Sequence, residues 1–514
     1  MRQLTLDPVT LQVMANALRA VAEEMEAALV RSAFSPNIKE RRDCSTALFD
    51  AEGRMVVQSA SIPVHLGAMP EAVEAVRARG AVPGEVWVVN DPYRGGTHLP
   101  DLTMINPIAL GGDAPVAYAV TRAHHADVGG MAPGSMPAGS RELLQEGLVI
   151  PPVRLVSGGE PLRDVLDLLL ANTRTPGERE GDLRAQLAAH RLAERRLGEV
   201  AERHGAARVH EAFADLLAYA ERRTRAAIAE IPDGTYRAEE ALEGDGVTTD
   251  PLWIRVAVTI AGEEMTVDFT GTDPTGPGNG NCPPAVTRSA VFFVVRCVTD
   301  PDIPASTGAF APVTVVAPEG TLVNATPPAA VAGGNVETSS RIVDAVFSAL
   351  GRAIPVPAQG QGTMNNLTIG GPGFTYYETL GGGQGASPGA DGPSGVHVAM
   401  SNTLNTPVEA LETAYPLRVE TYRLRRGSGG AGAHRGGDGV ERSVRVLVDA
   451  DASVIAERRA HGPAGRDGGG DGAPGRTTLN GEPLPAKWRG TLRAGDVLGI
   501  ETPGGGGHGA PSDR

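Results

Sequence analysis

Apolar residues near the N-terminus recur at three- and four-residue steps: Leu11, Met14, Leu18, Val21, Met25 and Ala28. That spacing draws one stripe down a helix. Asp7-Pro8 supplies its start, with Asp as N-cap and Pro at the first helical position. The helix should reach about Arg31, and its stripe reads as core or subunit contact. A dense polar run, Lys39-Glu40-Arg41-Arg42-Asp43-Cys44-Ser45, follows. Such a run is usually a solvated face. This one feeds straight into a strand at Ala47-Leu48-Phe49, so one or two of its groups are candidates to point inward. Asp50-Ala51-Glu52-Gly53 then turns the chain into Met55-Val56-Val57.

A helix is expected over about 70–79 and a short buried strand over 85–90. A second apolar run covers 116–120. The Gly/Pro/Met-rich stretch 130–139 reads as a flexible rim or lid. From 163 to about 230 the pattern is helical, with Leu183, Leu187, Ala193 and Leu197 on one face. Periodicity then switches to two. Residues 253–258 and 265–269 read as antiparallel strands with a turn at Ala261-Gly262. Residues 289–298 are continuously apolar and so buried, as helix or strand. Gly333-Gly334-Asn335 opens a helix carrying Ile342, Val346 and Leu350, and its N-terminus is a possible anion site. Beyond 424, short strands alternate with glycine clusters, and the tail 504–514 is expected to be mobile.

These elements predict an α+β, multidomain chain with mixed sheets, a helical segment and Gly-rich β-domains. The expected divisions are 1–160, 161–230, 231–330, 331–426 and 427–514. At 514 residues the length accommodates several domains. The balance of 46 basic against 61 acidic residues, net −15, disfavours nucleic acid and anionic membranes as partners. Cys44, Cys282 and Cys297 form an odd, sparse set without CxxC spacing, as in a reducing compartment. The start MRQLTLDPVT lacks an apolar core of a signal peptide, and no stretch of about 20 apolar residues could span a bilayer. A cytoplasmic location is expected. Lys39 and Lys487 are the only lysines, and neither sits in a GxxxxGK[ST] loop. ATP, if used, is better handled by another chain.

Chemistry concentrates between 85 and 130. The first apolar run breaks at Asn90-Asp91-Pro92, and Gly95-Gly96 deliver His98-Leu99-Pro100-Asp101. The second ends in Ala123-His124-His125-Ala126-Asp127. Two neighbouring strands ending this way would gather imidazole and carboxylate groups around one point. Such donors suit Zn, Mn or Fe(II) better than Ca. His98, Asp101, His124 and Asp127 would suffice for a site with positions left for water; His65 could supplement it, although a lone loop His is more often structural. His190, His204 and His210 read as structural or solvated, and Cys282 is a weak candidate nucleophile. The loops 360–366 and 381–386 either hold a polar substrate through backbone N–H groups or make tight turns.

Several long motifs in one order carry a resemblance. DPVT at 7–10, SPNIKERRDCS, IPVHLGAM, NDPYRGGTHLPD, AHHADVGG, GGNVETSSRI, QGTMNNL, YETLGGGQGA and LRRGSGGAGAHRGGDG extend over nearly the whole chain. Together they resemble the hydantoinase B subunit family, which includes the C-terminal half of ATP-dependent 5-oxoprolinase and a subunit of acetone carboxylase. The resemblance implies an enzyme working beside a hydantoinase A-type ATPase subunit in a hetero-oligomer. The partner would use ATP to phosphorylate the carbonyl oxygen of a lactam or hydantoin, and this chain would complete ring opening with water. A divalent metal (Zn, Mn or Fe) would then sit on His98, Asp101 and His124. Asp127, Asp91 and His125 would be the catalytic neighbours, and His65, Gly382, Gly383 and His397 the substrate-binding positions. Ala399 stands where relatives often carry a second His. A carboxylase subunit and a non-catalytic scaffold for the ATPase are the competing readings.

Overall fold

The computed structural model describes residues 4–59 and 62–511. The N-terminal stripe becomes the helix Pro8–Ser32, capped as expected: the Asp7 carboxylate accepts the N–H groups of Val9 and Thr10. Its apolar side lies on an antiparallel sheet of seven strands: β1 (Cys44–Asp50), β2 (Met55–Ser59), β3 (Val86–Val89), β4 (Asp101–Ile108), β5 (Ala117–His124), β6 (Val153–Ser157) and β7 (Glu160–Pro161). Their order is β2-β1-β5-β4-β3-β6-β7.

Alternate side chains divide between the two faces, as strand geometry requires. Leu48 and Ala119 join Met14, Leu18 and Met25 of the first helix. Ala47, Phe49 and Val120 join Met69, Val73 and Val76 of the helix Met69–Arg77 on the other side. With both faces covered, β1, β4 and β5 are buried along their whole length. The expected pairing of the strands near 85–90 and 116–120 is corrected here, because β4 lies between β3 and β5.

The helical stretch comprises Arg163–Ala171, Pro176–His204 and Ala206–Ile228. Ala189, Leu197 and Phe213 share one core with the first helix and β1. The helices therefore belong with the first sheet, and 161 marks no break in packing. A second sheet has the order β11-β10-β9-β8: β8 (Gly234–Leu242), β9 (Leu252–Ala261), β10 (Glu264–Asp268) and β11 (Val313–Val316). The apolar run at 289–298 is helical, within Pro284–Val298, and packs with the helix Ser339–Leu350 on this sheet.

Two C-terminal sheets share a third core, Leu367, Ile369, Val444, Val454 and Leu498 among it. One contains β12 (Asn366–Gly371) and β13 (Phe374–Glu378) with the strands Ala450–Ile455 and Lys487–Leu492. Beside them the glycine clusters run as extended chains in contact. Gly430 N–H donates to Gly505 O at 2.8 Å, Gly505 N–H to Gly437 O at 2.9 Å and Gly507 N–H to Gly470 O at 2.9 Å. A Cβ on Gly505 would stand 2.0 Å from the carbonyl oxygen of Gln384. The expected mobile tail is thus corrected: residues 502–508 are buried inside this bundle, while 512–514 lie outside the described residues. The expected lid at 130–139 is corrected too. Ala132 and Met136 are buried, and Pro133 lies so close to Gly370 that a Cβ there would clash at 2.2 Å.

Candidate metal centre

The β4–β5 ladder sets Asp101 directly opposite His124. His98 arrives from the loop before β4, which Asn90 clamps: its Nδ2 donates to Leu99 O and Leu148 O, and its Oδ1 accepts from Ile150 N. Gly95 permits this loop, having φ +91 and standing where a Cβ would meet Ala72 N at 2.3 Å.

The three side chains are buried and meet at single atoms. His98 Nε2 is 3.1 Å from His124 Nδ1 and 3.2 Å from Asp101 Oδ1, and His124 Nδ1 is 3.1 Å from the same oxygen. These separations are close to the edge of roughly 3.3 Å between ligands of a tetrahedral cation with bonds of about 2.0–2.1 Å. Two imidazole nitrogens and a carboxylate oxygen, turned toward each other away from water, repel unless a proton or a cation stands among them. The donor set fits a divalent transition ion, because nitrogen donors disfavour Ca. Burial alone would raise the Asp101 pKa, but His98 and the hydrogen bonds from His124, His65 and His98 hold it well below the usual carboxylate range. Burial pushes His124 down, against the pull of Asp101.

A layer of neighbours fixes these groups. Thr97 Oγ1 donates to Asp101 Oδ2 at 2.5 Å, and His65 Nε2 lies 3.6 Å from that oxygen. Ser45 Oγ, 2.9 Å from Nδ1, holds the His65 ring. Tyr377 stacks on His124 with centroids 4.4 Å apart, and the Arg41 guanidinium lies over the Tyr377 ring, 4.9 Å from its centroid. The triad opens on a cavity of about 20 Å³, room for about one water. Asp43, Asn335, Tyr377 and Ser401 are on its wall with His65, and Asn335 Oδ1 has no hydrogen-bond partner there.

Other expected site residues go elsewhere. Asp127 spends its carboxylate on Gly129 N, Gly134 N and the Arg174 guanidinium, so it ties a loop. Asp91 caps the turn that begins at Pro92, accepting from Tyr93 N. His125 faces away from the triad, as the residue after His124 must in extended chain. It bonds Gln186 at 3.0 Å, and burial lowers its pKa to about 4. Gly382 and Gly383 donate to Val396 O and Pro503 O within the glycine bundle, where a Cβ would clash with Gln361 or Gly437. They close-pack the chains. The possible anion site at the 333–340 helix start is already filled, because the buried Glu146 carboxylate accepts Val331 N and Ala332 N. His397 does reach a cavity, a second and larger one.

Asp43 is the group of the polar run that the sequence left unassigned, and Arg41 is its inward companion. Asn335, Tyr377 and Ser401 carry no local signal, since each joins the site only through tertiary packing.

The hydantoinase B/oxoprolinase family profile matches residues 7–511, and the chain belongs to that family. An uncharacterized protein of Methanocaldococcus jannaschii is 40% identical over 99% of this chain and 92% of its own length. The 5-oxoprolinase 1 of Arabidopsis thaliana is 37% identical over 98% of this chain, which spans 42% of that longer protein. Among solved structures, the ATP-dependent caprolactamase from Pseudomonas jessenii has a TM-score of 0.91 at 29% identity, over 99% of this chain and 92% of that one. An acetone carboxylase shares the fold, with a TM-score of 0.90 at 20% identity over 99% of this chain and 76% of the other.

Proposed function

We propose that this chain carries the hydrolytic site of an ATP-dependent cyclic-amide hydrolase and that an A-type partner subunit uses the ATP. The observation that carries the reading is the convergence of His98 Nε2, Asp101 Oδ1 and His124 Nδ1 on one buried point at the edge of a small cavity. Family membership and the caprolactamase likeness support the lactam or hydantoin class of substrate.

A cyclic amide resists water because resonance stabilises it. Phosphorylation of its carbonyl oxygen on the partner would make the carbon electrophilic and create a leaving group. The site in this chain must then supply activated water, one molecule to break the C–N bond and a second to release phosphate from the same carbon. His98, Asp101 and His124 would hold Zn, Mn or Fe(II), which when bound lowers the pKa of a coordinated water from 15.7 to about 7. Thr97 and His65 fix the Asp101 carboxylate, and Tyr377 with Arg41 fixes the His124 ring. In this reading Asp43 takes over the role of proton acceptor that Asp127 and Asp91 were expected to fill, since it alone of the three lines the cavity. The unpartnered Asn335 Oδ1, also on the cavity wall, would accept a hydrogen bond from that water. The three free cysteines support a reducing compartment, the cytoplasm, for the complex.

The test is the reaction of the chain with its A-type partner in 18O-labelled water. Two labels should enter the new carboxylate, because its original oxygen leaves with the phosphate, and the phosphate itself should carry none. Label in phosphate alone would mean simple ATP hydrolysis. A product one carbon larger, formed only with bicarbonate, would favour a carboxylase.

A further inference from the structure

Ser401 lines the metal cavity and also a second cavity of about 650 Å³. His397 Nδ1 lies 2.5 Å from Ser401 Oγ. This short segment is therefore the wall shared by the two spaces. The larger volume lies in the range of small-molecule sites, and its lining mixes apolar side chains, Phe347, Ile354 and Val398 among them, with polar ones.

Most polar groups on that wall are already engaged. Asp344 pairs with Arg341 and Arg458 at 2.9 and 2.8 Å, and Gln359 bonds Glu240 at 2.7 Å. Arg466 and Gln384 differ. Neither has a side-chain hydrogen-bond partner among the described residues, and both line the cavity. The Arg466 guanidinium lies against Gly351 so closely that a Cβ there would stand 1.7 Å from its nitrogen. Gly351 has φ −66, a conformation open to any residue, so its glycine serves space and not backbone freedom. Nor does Arg466 cap the end of the Ser339–Leu350 helix, where the Phe347, Ala349 and Leu350 carbonyls already accept from Gly351, Arg352 and Ala353. Its planar fork of donors is left for a ligand.

We infer that the 650 Å³ cavity receives the substrate, with Arg466 and Gln384 binding an oxyanion carried by it, while Ser401 on the same wall borders the metal cavity. The inference rests on the cyclic-amide reading above and narrows what reaches this site to a species bearing negative charge. That charge has two sources, a carboxylate of the molecule itself or a phosphoryl group added by the partner.

Calorimetric titration of the full chain alone separates them, because it needs neither ATP nor a partner. The probes are 5-oxoproline, its neutral analogue 2-pyrrolidinone, and inorganic phosphate. At least one anion should bind tighter than 2-pyrrolidinone, and Arg466→Gln should weaken that anion about ten- to hundredfold and leave 2-pyrrolidinone unchanged. Loss confined to 5-oxoproline assigns the carboxylate, and loss confined to phosphate assigns the phosphoryl group. If Arg466→Gln lowers the melting temperature, Gln384→Leu gives the same comparison with a severalfold loss. Failure of both anions to bind, or equal affinity in natural and variant chains, overturns the inference. Anion binding that follows Arg466 in a complex without hydrolase activity would instead defeat the cyclic-amide reading.

Discussion

Asp101 and His124 face each other across the β4–β5 ladder, with Oδ1 and Nδ1 3.1 Å apart. Two strands thus fix two of the three candidate ligands before any loop is placed, and only His98 depends on loop geometry. Asp101 depends in turn on Thr97, which donates to its second oxygen, and on His65, whose Nε2 lies 3.6 Å from that oxygen. Replacing His65 by Ala should therefore weaken metal affinity about 10- to 100-fold without removing the site. Competition against a chelator measures this, and an unchanged affinity would show that His65 has no part in orienting Asp101.

The buried Glu146 carboxylate carries a pH dependence. Burial raises its pKa to about 7, from an ordinary value of 4.5. A raised folded pKa means the folded state binds the proton more tightly than the unfolded one. Its stabilising contribution is complete below about pH 4.5 and is lost as pH rises through 7, roughly 3 kcal/mol in all. Urea midpoints of the natural chain should fall from pH 5 to pH 8 relative to Glu146→Gln. Parallel curves for the two proteins would refute the assignment.

Glycine at 505 is a packing requirement. Gly505→Ala would set a methyl 2.0 Å from Gln384 O, against backbone that cannot yield cheaply. The expected cost is about 1–3 kcal/mol or more. Gly112→Ala faces open space and should stay within about 0.5 kcal/mol. Thermal melts of the two variants check the contrast.

The chain alone should not turn over ATP. Lys39 is exposed, and Lys487 is buried against Glu457, so neither is placed on a phosphate loop. Phosphate release measured with and without an A-type subunit decides this; robust release by the single chain would contradict the division of labour.

Much of this was legible because it is local. The helix Pro8–Ser32, the β1–β2 hairpin and the His98/Asp101/His124 set each sit within a short stretch whose pattern names them. β4 escaped because Thr103, Asn106 and Pro107 interrupt its apolar pattern, and burial on both faces removes the alternation that marks a strand. Asp127 and His125 resemble ligands in sequence, but one ties a loop and the other faces away, which neighbouring letters cannot tell. Tyr377, Asn335 and Ser401 reach the cavity only by tertiary packing. The glycine clusters were ambiguous because tight turns and close-packed extended chains both need glycine.

Elemental analysis of the purified chain beside His98→Ala and Asp101→Ala tests the central claim most directly. The account predicts about one divalent transition metal per natural chain and none in either variant, with circular dichroism largely unchanged because both residues lie at the edge of the sheet core. Full metal occupancy in both variants, or a natural chain that takes up no metal, would contradict it.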